Sequence, residues 1–196
     1  MPIEIEVKLR VASHDELRAR LAACHGTFVE AVVEVDRFFD RPDGALRRER
    51  RGLRLRERRR LQQATADQTA SADSNRVTLT YKGPPQAGPY KSREEIETGV
   101  AEATAAAALL NALGFHETLM VQKQRERWRW GDCAVELDDV VGLGRFVEIE
   151  GPHTHAIDAA LATLGLSGAD HIAMSYAELF ATTAADSTSP WTPTPY

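Results

Sequence analysis

The segment IEIEVKLRV, residues 3–11, places an apolar residue at every odd position and a charged residue at each position between them. A β-strand turns successive side chains to opposite faces, so this period of two predicts a strand with one apolar and one charged face. The charged face carries Glu4, Glu6, Lys8 and Arg10. The pattern therefore predicts a strand face with fixed charges of both signs.

The same alternation recurs along the chain and predicts an antiparallel β-rich protein of the α+β class. Strands are predicted at residues 3–11, 29–39, 53–58, 76–82, 91–97, 119–130, 134–139 and 145–150. Helices are predicted at residues 13–24, 102–113, 154–164 and 173–182. Ser13 and Glu16 have the spacing of a capping box at the start of the first helix. Gly131 and Asp132 are predicted to form the turn of a hairpin.

The polar faces of these strands carry acids and bases rather than neutral polar residues. The acids are Glu4, Glu6, Glu95, Glu97, Glu136, Asp138, Glu148 and Glu150, and the bases are Lys8, Arg10, Arg54, Arg56, Lys82, Arg93, Lys123, Arg125 and Arg127. One arrangement that explains both faces is a closed barrel with a charged interior and helices packed outside. An open antiparallel sheet with cross-strand ion pairs on its solvated face is the alternative.

A charged barrel interior is costly to bury unless its charges are paired or occupied by a ligand. Lysine and arginine would hold a ligand with several negative charges, and guanidinium groups suit phosphate oxygens. Carboxylates would hold Mg²⁺ or Mn²⁺, hard cations that take oxygen ligands and accompany phosphates. The barrel arrangement therefore predicts a site for a polyanion and a divalent metal.

Composition limits the other classes of function. The chain has 196 residues and a net charge of −5, which favours one domain and disfavours a general nucleic-acid binder. It has no apolar run long enough to span a membrane and no signal-peptide pattern at the N-terminus. Two cysteines far apart in sequence form no disulfide framework, so a cytoplasmic location is expected. We predict one domain over residues 1–183, with a flexible loop at 62–75 and a disordered tail at 184–196.

Several short motifs, taken in order, resemble the CYTH superfamily, also called the triphosphate tunnel metalloenzymes. The motifs are EIEVK (4–8), DRFFD (36–40), LRLRE (53–57), TYKG (80–83), SREEIE (92–97), QKQR (122–125), ELDDVVGLGRFVEIE (136–150) and SYAELF (175–180). Each is weak alone, and their joint order is specific. The last two are most similar to the branch that contains class IV adenylyl cyclases.

The resemblance implies a closed eight-stranded tunnel barrel and a metal-dependent reaction at a triphosphate. It implies that Glu4, Glu6, Glu148 and Glu150 bind the metal. It implies that Lys8, Arg54, Arg56, Lys82, Lys123 and Arg125 bind phosphates, with Arg10 and Arg93 as additional positions. Glu95, Glu97 and Asp138 match acidic positions near the metal or the attacking water, and their individual roles stay open.

Three functions follow as hypotheses. The first is a Mg²⁺- or Mn²⁺-dependent triphosphatase that acts on inorganic triphosphate, thiamine triphosphate or a nucleoside triphosphate. The second is an adenylyl cyclase that forms cyclic AMP and pyrophosphate from ATP. The third is a polyphosphate-binding module without catalysis. The expected partner is a small triphosphate compound, with no nucleic acid or membrane, and the protein is expected to be a monomer or a homodimer.

Overall fold

Eight antiparallel strands close into a barrel in the computed structural model, which describes residues 3–61 and 75–186. The strands are β1 (Ile3–Arg10), β2 (Thr27–Asp40), β3 (Gly52–Arg60), β4 (Asn75–Lys82), β5 (Lys91–Val100), β6 (His116–Trp130), β7 (Cys133–Val140) and β8 (Gly144–Glu150). Around the barrel the order is β1, β5, β4, β3, β2, β6, β7 and β8, and β8 pairs back with β1. The predicted tunnel barrel is therefore confirmed, and the open sheet is excluded.

Five helices accompany the barrel in the described part of the chain. They are α1 (Asp15–Ala23), α2 (Ala45–Arg48), α3 (Ala103–Ala112), α4 (Thr154–Thr163) and α5 (Tyr176–Asp186). None of them combines the length and the apolar composition that a bilayer-spanning helix needs.

The apolar strand faces point outward and form cores with the helices. Leu9 and Ile149 pack with Leu21 of α1 and Ile157 of α4 in the largest core. A second core joins the outer face of β3 to α3. Because burying apolar area stabilises a fold by about 25 cal/mol per Å², these cores fix which face of each strand turns inward. The charged faces are thereby left to line the interior.

The hairpin between β6 and β7 turns at Gly131 and Asp132, as predicted. Gly131 has a φ of 55°, whereas the φ of Asp132 is not positive. A positive φ at the first central position is typical of a type II′ turn, whose twist matches the flanking strands. This hairpin places Arg125 beside Asp138 on neighbouring strands.

Some local predictions are wrong at helix ends. His14 rather than Ser13 precedes α1, and the Ser13 hydroxyl accepts the Asp15 N–H at 3.1 Å. Glu16 pairs with Arg20 instead of returning to the cap, so no capping box forms. The four-residue α2 was not predicted.

Two predicted segments lie wholly or largely outside the described residues. These are the flexible loop, of which only residue 75 is described, and the tail at 184–196. Helix α5 runs to Asp186, so it includes the first three residues of that predicted tail.

Candidate active site

The inward faces of the strands bring ionisable side chains together inside the barrel. The pairing places Lys8 opposite Glu148 and Arg125 opposite Asp138. Lys123 and Asp138 are each no more than 2% exposed. Such burial of charge is stable only when opposite charges and hydrogen bonds compensate it. The interior therefore contains two kinds of charged group, those with a partner of opposite charge and those without one.

Arg125 is the centre of the buried charge network. Its Nε donates to Asp138 at 2.6 Å, and its Nη2 donates to both Asp138 and Glu148. Its Nη1 pairs with Glu136. Burial alone would raise the pKa of the Glu148 carboxyl, but Lys8 and Arg125 hold that pKa well below its usual range. Arg125 and Glu148 therefore form an ion pair with each other, and each is also paired with a further charged neighbour.

A second network lies on β2 and includes acids that the sequence reasoning did not select. Arg56 donates to Asp36 at 2.6 and 2.8 Å and pairs with Glu34 at 3.1 Å. Lys123 lies 3.4 Å from Glu34 and 3.2 Å from Asp138, which joins the two networks. Burial would raise the pKa of Glu34, but Arg56, Arg125 and Lys123 lower it to about 2.

One end of the interior is filled by apolar side chains and by α5. Val121, Val140 and Phe146 each lie two residues from an inward-facing charge, and they pack with Tyr176 and Leu179. The Tyr176 hydroxyl donates to Asp138 at 2.8 Å. Its ring lies 3.9 Å from the Lys8 Nζ, within range of a cation–π contact. Access to the charged interior is therefore from the opposite end, where Glu150 and Arg127 lie.

Carboxylates crowd the wall formed by β1, β5 and β8. Burial, followed by the negative charges of Glu4, Glu136 and Glu6, raises the pKa of Glu150 to about 7, and Arg127 opposes this rise only weakly. The pKa of Glu4 is also raised, first by burial and then by its hydrogen bond to Glu95. This wall carries more negative charge than the adjacent cations neutralise.

The wall offers the oxygen donors that a divalent cation requires, but these donors are not arranged around a single metal position. Among the described residues, no three His, Cys, Asp or Glu side chains converge on one metal position. Glu6 is bound to Lys91, and Glu4 accepts from Lys82 at 3.5 Å. Carboxylate oxygens are the ligands that Mg²⁺ and Mn²⁺ take, and a bound cation would relieve the repulsion around Glu150. Glu4, Glu6 and Glu150 fit such an ion better than Glu148, which two cations already engage.

Three arginines in the interior, Arg54, Arg58 and Arg93, keep unused donors. The Nε atoms of Arg54 and Arg93 have no hydrogen-bond partner among the described residues. Arg93 is only 7% exposed, and no described carboxylate lies within ion-pairing distance of it. Arg54 donates weakly to Thr80 at 3.3 Å, and its nearest carboxylate oxygen, on Glu97, is 4.0 Å away. An anionic ligand would satisfy the guanidinium groups of Arg54 and Arg93.

The structure brings most of the sequence-predicted site residues together but separates two of them from the centre. Arg10 is exposed, donates to the Leu143 carbonyl at 2.6 Å and lies over the Phe146 ring. Glu97 is 42% exposed and accepts from Thr80 at the open rim. The interior also holds residues that the sequence reasoning left out of the site, and these are Glu30, Glu34, Asp36, Arg58, Thr78, Thr80, Lys91, Glu136 and Tyr176. A period of two in residues 30–36, the same signal used elsewhere, would have found the β2 acids.

A closed barrel with a charged interior and apolar outer faces under helices defines a tunnel-type β-barrel. Residues 2–176 match the CYTH domain family, so the chain belongs to that family. Adenylate cyclase CyaB of Aeromonas hydrophila is 26% identical over 147 residues, which cover 74% of this chain and 67% of that protein.

Solved structures share the fold. The PH1819 protein of Pyrococcus horikoshii OT3 superposes with a TM-score of 0.76 at 28% identity, covering 92% of this chain and 99% of that one. The HpAC1 protein of Hippeastrum superposes with a TM-score of 0.67 at 21% identity, covering 93% and 96% of the two chains.

Proposed function

We propose that this protein is a divalent-metal-dependent triphosphatase whose substrate enters the open end of the barrel. The observation that carries the proposal is the presence of crowded carboxylates and of guanidinium groups with unused donors inside one tunnel. The carboxylates around Glu150 have excess negative charge, while Arg54 and Arg93 have donors without partners. A metal-bound triphosphate would supply the missing charge to both groups, since the carboxylates would hold the metal and the arginines would bind the phosphate oxygens.

Each group has a definite task in this scheme. Glu4, Glu6 and Glu150 hold Mg²⁺ or Mn²⁺, which when bound neutralises phosphate oxygens and favours attack by water. Arg54, Lys82 and Arg93 bind the phosphates directly. The paired groups around Arg125, including Lys8, Arg56, Lys123 and Asp138, fix the position of the phosphate-binding side chains. Glu95 and Glu97 lie on β5 beside Lys82 and Thr80, on the side from which water would enter.

Hydrolysis ranks first because it requires no pocket for an organic group. The small cavity at the open end is lined by arginine, glutamate and threonine, with no aromatic or aliphatic side chain to hold a base. The related HpAC1 protein is described as having a dominant triphosphatase activity. The candidate substrates are inorganic triphosphate, thiamine triphosphate and nucleoside triphosphates, and this lining favours the first of them. An adenylyl cyclase is the second candidate, because the Aeromonas relative carries that name.

The decisive experiment is ³¹P NMR of products formed from inorganic triphosphate and, separately, from ATP, each with Mg²⁺ or Mn²⁺. We expect orthophosphate together with pyrophosphate from triphosphate. Cyclic AMP with pyrophosphate from ATP would establish the cyclase instead. Absence of products from these compounds and from thiamine triphosphate would overturn catalysis and leave the binding module. A Glu6→Gln sample is the control for contaminating phosphatases.

Arg93→Ala should weaken triphosphate binding without unfolding the protein. A hydrogen bond to a charged partner contributes about 1.5–3 kcal/mol, so we expect the dissociation constant to rise roughly 10- to 100-fold. Because Arg93 has no ion pair with a described residue, its removal leaves no described carboxylate unpaired. Calorimetric titration with triphosphate measures the effect, and thermal unfolding monitors the fold.

Arg145→Ala is the matched control for Arg93→Ala. Arg145 lies on β8 with its side chain 50% exposed, pairs with Asp139 and donates to the Ala12 carbonyl at 3.2 Å. Its removal should change neither affinity nor fold. Equal affinities in Arg93→Ala and the wild type would remove Arg93 from the binding site.

A further inference from the structure

Helix α3 exposes a side that carries no charge. Its sequence, ATAAAALLNA, has no acidic or basic residue, and Ala107 and Leu110 pack against the barrel. A surface helix of a globular protein normally has polar and charged residues on the side that faces water. On α3 the exposed side consists mainly of apolar residues, which together form the α3 face: Ala105, Ala108, Leu109, Ala112 and Leu113.

Two leucines provide most of the apolar area of the α3 face. Leu109 is 61% exposed and Leu113 is 65% exposed. They lie four residues apart, on the same side of the helix, and neither belongs to the core beneath α3, into which Leu110 packs. The small alanines beside them leave room for another helix to approach closely. A contiguous exposed apolar area of this kind is typical of a site of protein association.

The two ends of α3 have charges of opposite sign. Glu102 is exposed and directly precedes the helix. Arg41 is exposed as well, and its guanidinium group lies 5.6 Å from the ring of Phe115, just beyond the end of the helix. Within residues 3–61 and 75–186, neither Glu102 nor Arg41 has a partner for an ion pair. Each end therefore offers a charge that a second molecule can neutralise.

We propose that the α3 face is the interface of a homodimer, in which the two α3 helices pack antiparallel across a two-fold axis. A two-fold contact requires a surface that complements itself, and an uncharged face does not repel its own copy. The antiparallel arrangement brings Glu102 beside Arg41 of the partner subunit, and the same pair forms at the other end of the contact. The second copy therefore supplies both the apolar area and the matching charges. The dimer does not depend on the reaction inside the tunnel.

The contact is small, so the dimer should be weak. Helix α3 has 10 residues and a length of about 15 Å. A stable dimer usually buries about 1,200–2,000 Å² of surface, and two such helices with their flanking charges bury less. We therefore expect a dissociation constant of roughly 1–100 µM for the wild type.

Sedimentation velocity of the full chain, at concentrations between about 1 and 300 µM, tests the proposal. The wild type should change from monomer to dimer over this range. Leu109→Glu and Leu113→Glu should each raise the dissociation constant by about 10-fold or more, because each places one buried charge per subunit in the contact. Glutamate and leucine have similar helix propensities, so the fold should persist, and thermal unfolding checks this.

Val141→Glu is the matched control. Val141 is 63% exposed, as the two leucines nearly are, and it lies in the turn between β7 and β8, outside the α3 face. This variant should keep the dissociation constant of the wild type. A wild type that stays monomeric at every concentration would overturn the proposal. A dimer that both leucine variants leave intact would also overturn it, and so would an equal loss of dimer in Val141→Glu.

Charge reversal tests the antiparallel arrangement. Glu102→Arg and Arg41→Glu each place like charges together at both ends of the contact, and each should raise the dissociation constant about 3- to 10-fold. The double variant restores opposite charges, so its dissociation constant should return to within about 2-fold of the wild-type value. Single variants without effect, or a double variant without recovery, would overturn the antiparallel dimer.

Discussion

The Glu150→Gln variant is expected to lose metal-dependent turnover while its metal-free form becomes more stable than the wild type. Glu150 lies among carboxylates that, together with burial, raise its pKa to about 7. Removing its charge should relieve repulsion in the metal-free protein and would also remove one of the proposed oxygen ligands of the metal. We expect kcat/KM to fall by about 100-fold or more, the effect typical of losing one strong electrostatic contact to the reacting group.

The stability gain depends on pH in a direction set by the raised pKa. A carboxyl group whose pKa is higher in the folded state binds its proton more tightly there, so ionisation disfavours folding. The penalty appears as the pH rises above the ordinary value of 4.5 and is complete above about 7. Glu150 is partly enclosed by its neighbours but reaches solvent at the rim. Solvent screening therefore limits the gain at pH 8 to about 1 kcal/mol, or about 2–4 °C in Tm.

Thermal unfolding of both proteins at pH 5 and pH 8, with and without Mg²⁺, measures this effect. The wild type should be stabilised by Mg²⁺ more strongly at pH 8, and Glu150→Gln should lose most of that response. Glu57→Gln is the matched control, since Glu57 is exposed on β3 and pairs with no described cation. A metal-free Glu150→Gln protein that melts below the wild type at pH 8 would contradict the crowding of carboxylates.

The barrel could be predicted from the sequence because its cause is local. Alternation of apolar and charged residues, as at residues 3–11, fixes which side of a strand faces a core, whatever its partner. The order of motifs then supplied the strand count by resemblance. The start of a helix depends on the backbone angles of single residues, which the apolar pattern does not determine. His14, and not Ser13, is the residue that precedes α1.

The state of each charged side chain could not be predicted, because it depends on partners far away in the sequence. Glu148 reads as a metal ligand beside Glu150, yet Lys8 and Arg125 engage its two oxygens. Arg10 continues the charged face of β1, yet at the filled end of the barrel it binds a backbone carbonyl. Glu34 was not selected, although the alternation of residues 30–36 marks it as inward-facing and it contacts both Arg56 and Lys123.

Arg125→Ala should destabilise the protein more than any other single substitution proposed for the charged interior. Arg125 is 5% exposed and contacts Asp138, Glu136 and Glu148. Removing one partner from a buried ion network typically costs about 3–5 kcal/mol, because carboxylates are left without compensation. For a chain of this size we expect Tm to fall by about 10 °C. Arg129→Ala, an exposed position on the same strand, should shift Tm by less than about 2 °C.

The pH dependence of that loss separates a structural arginine from a simple phosphate ligand. In the wild type, Arg125 helps keep the pKa values of Glu148 and Glu34 low, with that of Glu34 at about 2. A depressed carboxyl pKa stabilises the fold above the ordinary value of 4.5, and this contribution disappears as the pH falls through the lowered value. The difference in unfolding free energy between the wild type and Arg125→Ala should therefore be largest near pH 7 and shrink below pH 4.5. If Arg125 instead serves mainly to bind phosphate, its removal will raise KM and leave unfolding unchanged at every pH.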